Sequence, residues 1–306
     1  LNNELVLNGP CSEDIDLSKA FAADIIFNTW YDLKKDDIGY VELSTNGGSS
    51  WTEIGMINGS SDGWEQEWIS IDSYLGEIIL IRFRFTSTDS NNAEGWYIDD
   101  VRILAKIDEN PPSSTADVSG TMGENNWYTS SVSVTLSATD DHSGVDAIYY
   151  KLDGGSQQTY SSPITVSTDG SHNIEYWAVD NVGNTESSDI VSFKIDRTDP
   201  EVPVITKPGS GLYIRDRKIW PLIEFSLLGW EPPIVIGKIT ITAESSDDTS
   251  GVSNVEFFID GTSKANDETV PYEYLWDETA FFTHSIRVVV TDNAGNEVSF
   301  VGTLKI

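Results

Sequence analysis

The sequence predicts an all-β chain built of three tandem β-sandwich domains, and three observations predict it. Helical periodicity is nearly absent, and short Val/Ile/Tyr/Thr-rich runs are punctuated by Gly, Asn, Asp, Ser and Pro. Two acidic loops return: SATDDHSGV (137–145) as SSDDTSGV (245–252), and VDNVGN (179–184) as TDNAGN (291–296). Their offsets, 107 residues from Asp140 to Asp247 and 112 from Asp180 to Asp292, match the size of one sandwich domain. Finally, KIDENPPSSTAD (106–117) and KIDRTDPEVP (194–203) both start with Lys-Ile-Asp at the end of an apolar strand. Their prolines hold the preceding residue extended, so both read as short, stiff linkers. The domains therefore fall at 1–106, 107–198 and 199–306.

In the first domain, GYVELSTNGGSSWTEIG (39–55) predicts a hairpin. Val41 and Leu43 alternate with Glu42 and Ser44, Asn46-Gly47 tolerates the turn, and Trp51 begins the return strand. IILIRFRFTST (78–88) predicts a strand with Ile79, Ile81, Phe83 and Phe85 on one face, and Arg82 and Arg84 on a solvated one. In the second domain, strands are expected at 131–139, 146–155, 163–168, 172–180 and 189–196. The third repeats the order at 238–245, 253–261, 272–276, 284–292 and 298–306. Before these, residues 211–233 have no counterpart in the second domain and read as an extra strand with a long loop, or an extension over a neighbouring surface.

At 306 residues, 39% hydrophobic and 11% aromatic, the chain is long and apolar enough for separate cores. Its net charge of −32 repels nucleic-acid phosphates and anionic membranes, which argues against both as partners. A solvated acidic surface, divalent-cation sites and high-salt adaptation all account for that charge. Cys11 is the single cysteine, so no intrachain disulfide forms, and it reads as a small packing residue. No run reaches the roughly 18–20 apolar residues of a membrane span. Residues 219–236 come nearest, broken by Glu224, Glu231 and prolines. The start at LNNELVLNG, without a signal segment or initiator Met, reads as a piece of a longer polypeptide.

With the strands placed, WYDLKKDDIGYVELSTNGGSSWTEI (30–54) and GWYIDDVRI (95–103) resemble the jelly-roll, MAM-like module of secreted bacterial and archaeal proteins, including those similar to immune inhibitor A. YYKLDGGSQQTYSSPITVSTDGSHNIEYWAVDNVGNTE (149–186) resembles the Ig-like repeats of bacterial and archaeal surface proteins, including the OmpL47-type domain. GLYIRDRKI, IVIGKITITAES and VSNVEFFIDG are similar to a related Ig-like repeat. The resemblance implies one jelly roll followed by two Ig-like domains and an extracellular or cell-surface location. It implies no single activity, because such modules are widely reused.

Catalytic signatures are lacking. HExxH, P-loop and dinucleotide motifs do not occur, and His142, His172 and His284 have no ligand spacing. Gly59-Ser60-Ser61-Asp62-Gly63 fits GxSxG, but a nucleophile elbow needs a strand before it and a helix after it. The expectation is a non-enzyme. Calcium is the sharper chemistry. In an Ig-type sandwich both repeated loops lie at the pole that receives the incoming linker. Asp140, Asp141 and Asp180 then converge near Asp108 and Glu109, and Asp247, Asp248 and Asp292 converge near Asp196 and Asp199. Clustered carboxylates suit Ca²⁺ and would stiffen each junction. The alternative is that each Asp-Asn-x-Gly-Asn loop caps its own amides. In the first domain, Asp99 and Asp100 are candidates to share an ion with Glu13, Asp14 and Asp16, or to bond neighbouring backbone.

Trp64 and Trp68 share a strand face across Gln66, an arrangement suited to stacking on sugar rings, although most tryptophans of such folds are core. Three functional readings follow: a surface or adhesion protein with a glycan- or protein-binding tip on a stiffened stalk; a homopolymeric filament or surface-layer subunit joined by β-strand addition, with NNELVLNG (2–9) as donor; and the accessory tail of a secreted protease or glycosidase.

Overall fold

The computed structural model describes residues 3–7, 14–87, 93–220 and 233–305. Cys11, Glu13 and the 221–232 part of the expected extension lie outside the described residues. The chain forms two compact units. One comprises Leu1–Thr115, Ser137–Tyr149 and Tyr176–Asp189; the other comprises Ala116–Leu136, Tyr150–Glu175 and Ile190–Ile306. The described chain is all-β, its one helical element being a single 3-10 turn at Asp72–Tyr74. No described helix is long and apolar enough to cross a membrane.

The first strands are β1 (Asn3–Leu7), β2 (Ile15–Asp16), β3 (Ala20–Asp32), β4 (Ile38–Ser44), β5 (Thr52–Ile57), β6 (Glu65–Ser70), β7 (Ile78–Thr86) and β8 (Gly95–Ile107). One sheet runs β1-β7-β4-β5 with β2 also paired to β7, and the other runs β6-β3-β8. Period-two alternation turns Ile25 and Phe27 of β3, Val41 and Leu43 of β4, and Ile79, Ile81 and Phe83 of β7 into one shared core. The expected hairpin is β4–β5. Asn3–Leu7, part of the suggested donor segment, pairs antiparallel with β7 of its own chain.

The second face of β7 departs from expectation. Glu42, opposite Arg82 on β4, is only 7% exposed. It accepts from Arg82 Nε at 2.7 Å, Arg84 Nε at 2.9 Å and Arg84 Nη2 at 3.0 Å. The two guanidinium groups also lie over Trp51 (4.3 Å) and Tyr40 (4.1 Å). Hydrogen bonding from Arg84, joined by Arg82 and opposed by burial, holds the Glu42 carboxyl below its ordinary range. Cross-strand charge pairing and aromatic stacking have turned an expected wet face into a half-buried ionic layer.

The next strands are β9 (Ser113–Ser119), β10 (Trp127–Tyr128), β11 (Val132–Thr139), β12 (Val145–Leu152), β13 (Gln158–Thr159), β14 (Ile164–Val166), β15 (Gly170–Asp180) and β16 (Asp189–Ile195). They form sheets β14-β11-β9 and β10-β16-β15-β12-β13. Alternate residues are buried: Val132, Val134 and Leu136 on β11, and Ile174, Tyr176 and Ala178 on β15.

The last strands are β17 (Val204–Lys207), β18 (Leu212–Ile214), β19 (Arg217–Trp220), β20 (Ile234–Ile236), β21 (Ile239–Glu244), β22 (Val252–Ile259), β23 (Thr262–Asp267), β24 (Tyr272–Trp276), β25 (Thr283–Asp292) and β26 (Glu297–Lys305). Sheets β17-β21-β24 and β19-β18-β20-β26-β25-β22-β23 share a core containing Ile239, Ile241, Val255, Phe257, Val288 and Val290. The described part of the 211–233 extension is the β18–β19 hairpin. It joins the sheet edge through β20, which pairs parallel with β26 much as β10 pairs parallel with β16.

Candidate functional site

The repeated loops build the same arrangement twice. Each Asp-Asp-x-Ser-Gly turn is held by its first carboxylate. Asp140 Oδ1 accepts from the backbone N–H of His142 (3.1 Å) and Gly144 (2.7 Å). Asp247 Oδ1 accepts from Thr249 (3.1 Å), Ser250 (2.8 Å) and Gly251 (2.7 Å). Gly144 and Gly251 sit at φ of +83° and +82°, left-handed backbone that favours glycine. Each Asp-Asn-x-Gly-Asn turn is likewise self-capped. Asp180 Oδ1 accepts from Val182 (3.0 Å) and Asn184 (2.7 Å), and Asp292 Oδ1 from Ala294 (2.8 Å) and Asn296 (2.9 Å).

The two turns meet the linker. Asn184 donates through Nδ2 to Asp180 Oδ2 (2.7 Å) and to the carbonyl of Asp108 (2.9 Å), and Asn296 donates to Asp292 Oδ2 (2.8 Å) and to the carbonyl of Asp196 (3.2 Å). The linker carboxylates complete the knot. Asp108 Oδ2 accepts from Ser143 N–H (2.9 Å) and Asp196 Oδ2 from Ser250 N–H (3.1 Å). Within Asp108, Asp140 and Asp180, one carboxylate oxygen from each lies within 4.8 Å of the others, and the same holds for Asp196, Asp247 and Asp292. In both sets the linker and last-turn residues are buried.

Electrostatics differ between the clusters. Ser143 holds the Asp108 carboxyl below its ordinary range against burial. Burial first, then repulsion from Asp247 and Asp292, pushes Asp196 up despite Ser250 and Thr198. Lys19 Nζ reaches the first knot at Asn184 Oδ1 (2.6 Å) and the Val182 carbonyl (3.1 Å). Asp140 Oδ2 is buried and has no hydrogen-bond partner, and the Ser143 and Ser250 hydroxyls are buried without an aligned one. Half-satisfied oxygens beside crowded carboxylates are what a hard cation neutralises.

Other expected site residues fall elsewhere. Asp141 is exposed and pairs with His142 at 2.8 Å, an interaction that raises the His142 pKa; with Asp108 these two form a further possible ligand group. Asp199 and Asp248 are exposed and outside the three-carboxylate sets. The structure does not bring Asp14 and Asp16 to Asp99 and Asp100. Asp16 lies in β2, paired with β7, and accepts from Ser18 N–H, whereas Asp99 pairs across from Asn28, eight residues or about 26 Å past the start of β3 at ~3.3 Å per residue. Asp99 bonds the Asp100 backbone, and Asp100 accepts from Asn28. Ser61 of the GxSxG stretch bonds Tyr31 backbone in a turn followed by strand β6, so the elbow geometry is absent there.

The sequence reading missed a second repeated device. His172 Nδ1 meets Asp153 Oδ2 at 2.8 Å and its Nε2 the Thr168 carbonyl at 2.9 Å. His284 likewise bridges Asp260 (2.6 Å) and the Phe281 carbonyl (2.9 Å). Asp153 and Asp260 each also accept the N–H that follows their histidine, at 2.9 Å. The shared offsets of 107 and 112 residues were the available signal.

Trp64 and Trp68 are 59% and 57% exposed on the outward face of the β6-β3-β8 sheet, so they are not core.

Residues 234–288 match the Bacterial Ig domain family, and residues 124–192 match the Chitobiase/beta-hexosaminidase C-terminal domain family. Neither match reaches residues 1–123, where the MAM-like resemblance lies. Over 81 residues the chain is 40% identical to Bacillopeptidase F of Bacillus subtilis (strain 168), covering 26% of this chain and 6% of that protein. Among solved structures, fibronectin(III)-like modules of Clostridium thermocellum CbhA cover 63% of this chain and 94% of theirs, at 19% identity and a TM-score of 0.32. A structure concerning host cell surface retention of a 1.5-MDa bacterial ice-binding adhesin covers 100% and 96%, at 14% and 0.34. The chain is thus a modular all-β protein with Ig-like segments at 124–192 and 234–288.

Proposed function

We propose that this chain is a non-catalytic part of an extracellular modular protein whose domain junctions are stiffened by Ca²⁺. The ions would sit at Asp108–Asp140–Asp180 and Asp196–Asp247–Asp292, at the borders of domains spanning 1–106, 107–198 and 199–306. The N-terminal sandwich would recognise a glycan or a surface protein. The observation that carries this reading is the doubling of one knot, in which a linker carboxylate and two loop carboxylates converge within 4.8 Å. Three carboxylates offer up to six of the six to eight oxygens calcium takes. A ligand seen only by the folded state raises stability by RT ln(1 + [L]/Kd). Melting curves in EDTA and in millimolar Ca²⁺ test it: a raised midpoint is expected, and superimposable curves would remove the ions from the junctions.

The identity to Bacillopeptidase F favours a second reading, the accessory region of a secreted peptidase. Antibodies against this chain should then precipitate peptidase activity from the secreted fraction, and a precipitate without activity counts against it. For the filament reading, the pairing of Asn3–Leu7 with β7 leaves the suggested donor strand engaged in its own sheet. Light scattering that grows with concentration would restore that reading, and a monodisperse monomer would end it.

A further inference from the structure

The outward face of the β6-β3-β8 sheet carries more than the two tryptophans. Strand register places Gln66 opposite Asn28 and Trp68 opposite Ile26 on β3, and Trp30 opposite Tyr97 on β8. Trp30 and Tyr97 stack at 5.3 Å, and Tyr97 is 48% exposed. Trp64, one residue before β6, continues the Trp30–Tyr97 row. Between the aromatic rows runs a polar one, joined side chain to side chain. Trp68 Nε1 donates to Gln66 Oε1 (3.2 Å), Gln66 Nε2 to Asn28 Oδ1 (3.3 Å), and Asn28 Nδ2 to Asp100 Oδ2 (3.0 Å). Rows on one sheet face are about 6.7 Å apart, so Trp64 and Trp68 stand about 13 Å apart with the amides midway.

We propose that this face binds an extended, uncharged glycan chain. The inference rests on the recognition role given to the N-terminal sandwich and names its ligand class and residues. Exposed aromatics interleaved with an amide and carboxylate row suit an occupant that is itself half apolar. A pyranose with equatorial hydroxyls is such an occupant, with apolar C–H faces for Trp64 and Trp68 and rim hydroxyls for Gln66, Asn28 and Asp100. Charge selects among glycans. The face carries Arg102 across from Ile26 as well as Asp99 and Asp100, and the chain's net charge of −32 sets the balance against uronic acid or sulfated chains. A hydrophobic protein partner is disfavoured because the amide and carboxylate row would be desolvated across its centre.

The test is titration of the whole chain with cellohexaose, xylohexaose and chitohexaose, with hyaluronan hexasaccharide as the anionic comparator, followed by tryptophan fluorescence and calorimetry. Saturable binding of at least one neutral hexasaccharide is expected, with none for hyaluronan. Trp64→Ala and Trp68→Ala should each weaken it about tenfold, and Gln66→Ala should weaken it with its melting midpoint unchanged, since all three side chains are exposed. Absence of neutral binding, binding undiminished in both tryptophan variants, or equal binding of hyaluronan would overturn the proposal. So would self-association of the wild type that disappears in Trp68→Ala, which would assign the face to a second copy. Each titration is run in EDTA and in Ca²⁺, so loss of the glycan site is distinguishable from loss of the calcium junctions.

Discussion

Replacing Asp247 by Asn should stabilise the cation-free protein and blunt its response to calcium. Asp247 Oδ1 already takes the N–H groups of Thr249, Ser250 and Gly251, and an Asn carbonyl keeps all three. What the substitution removes is a negative charge whose carboxylate lies within 4.8 Å of those of Asp196 and Asp292. Two unit charges 4.8 Å apart repel by about 3.5 kcal/mol at an effective dielectric of ~20. Water reaching half-buried Asp247 screens this. A gain of about 1–2 kcal/mol remains, or roughly 0.5–1 M in urea midpoint for a slope of ~2 kcal/mol/M. If calcium binds as proposed, the wild type at a hundredfold its Kd should gain about 2.7 kcal/mol, and the variant, one ligand charge poorer, should gain less. Urea unfolding followed by tryptophan fluorescence, in EDTA and in calcium, reads both numbers. A variant less stable than wild type in EDTA, or one with an undiminished calcium gain, refutes the reasoning.

Glu42→Gln removes a buried carboxylate from two arginines and should lower stability by about 3–5 kcal/mol, read as a urea-midpoint shift without loss of slope. Phe257→Ala empties a fully buried position in the C-terminal core and should cost about 3–5 kcal/mol by the same assay. The Asp260 carboxyl is held below its ordinary 3.8 by His284 first and by Ser285 N–H. Its stabilising share is therefore complete above that value and lost as pH falls through the lower folded pKa. His284→Gln should accordingly melt earlier than wild type at pH 6, with the gap narrowing as pH falls below 3.8, and a gap that does not narrow in acid would exclude this linkage.

The strands were legible because one face of each is buried. Ile79, Ile81 and Phe83 on β7, and Val41 and Leu43 on β4, alternate by twos in sequence as they do in the core. The acidic knots were legible because each is built from a repeated short loop plus a linker carboxylate, all close in sequence pattern. Asn184 and Asn296 stood in the same motif, yet their reach to the linker carbonyls depends on how two loops and a linker meet. Arg82 and Arg84 looked solvated because the strand alone does not reveal Glu42, Trp51 and Tyr40 across the ladder. The proposed sharing of an ion by Asp14, Asp16, Asp99 and Asp100 rested on sheet adjacency. The register instead pairs β2 with β7 and β8 with β3, so the groups occupy different sheets.

The two histidine clasps also mark where the repeat tolerates change of length. Asp153 and Asp260 are offset by 107 residues and His172 and His284 by 112, so five extra residues lie between the clasp partners of the later copy. They fall partly before β24, where the edge strand grows from the two residues of β13 to the six of β23, and partly between β24 and His284. On that longer edge Lys264 pairs with Glu278 at 2.8 Å, placing charge where an unpaired strand would invite another chain. Because the acidic knots sit outside this interval, their geometry is insulated from such growth. The stretch between the clasp partners, Asp153 to His172 and Asp260 to His284, is therefore where the repeat has taken up added length without rewiring its junction.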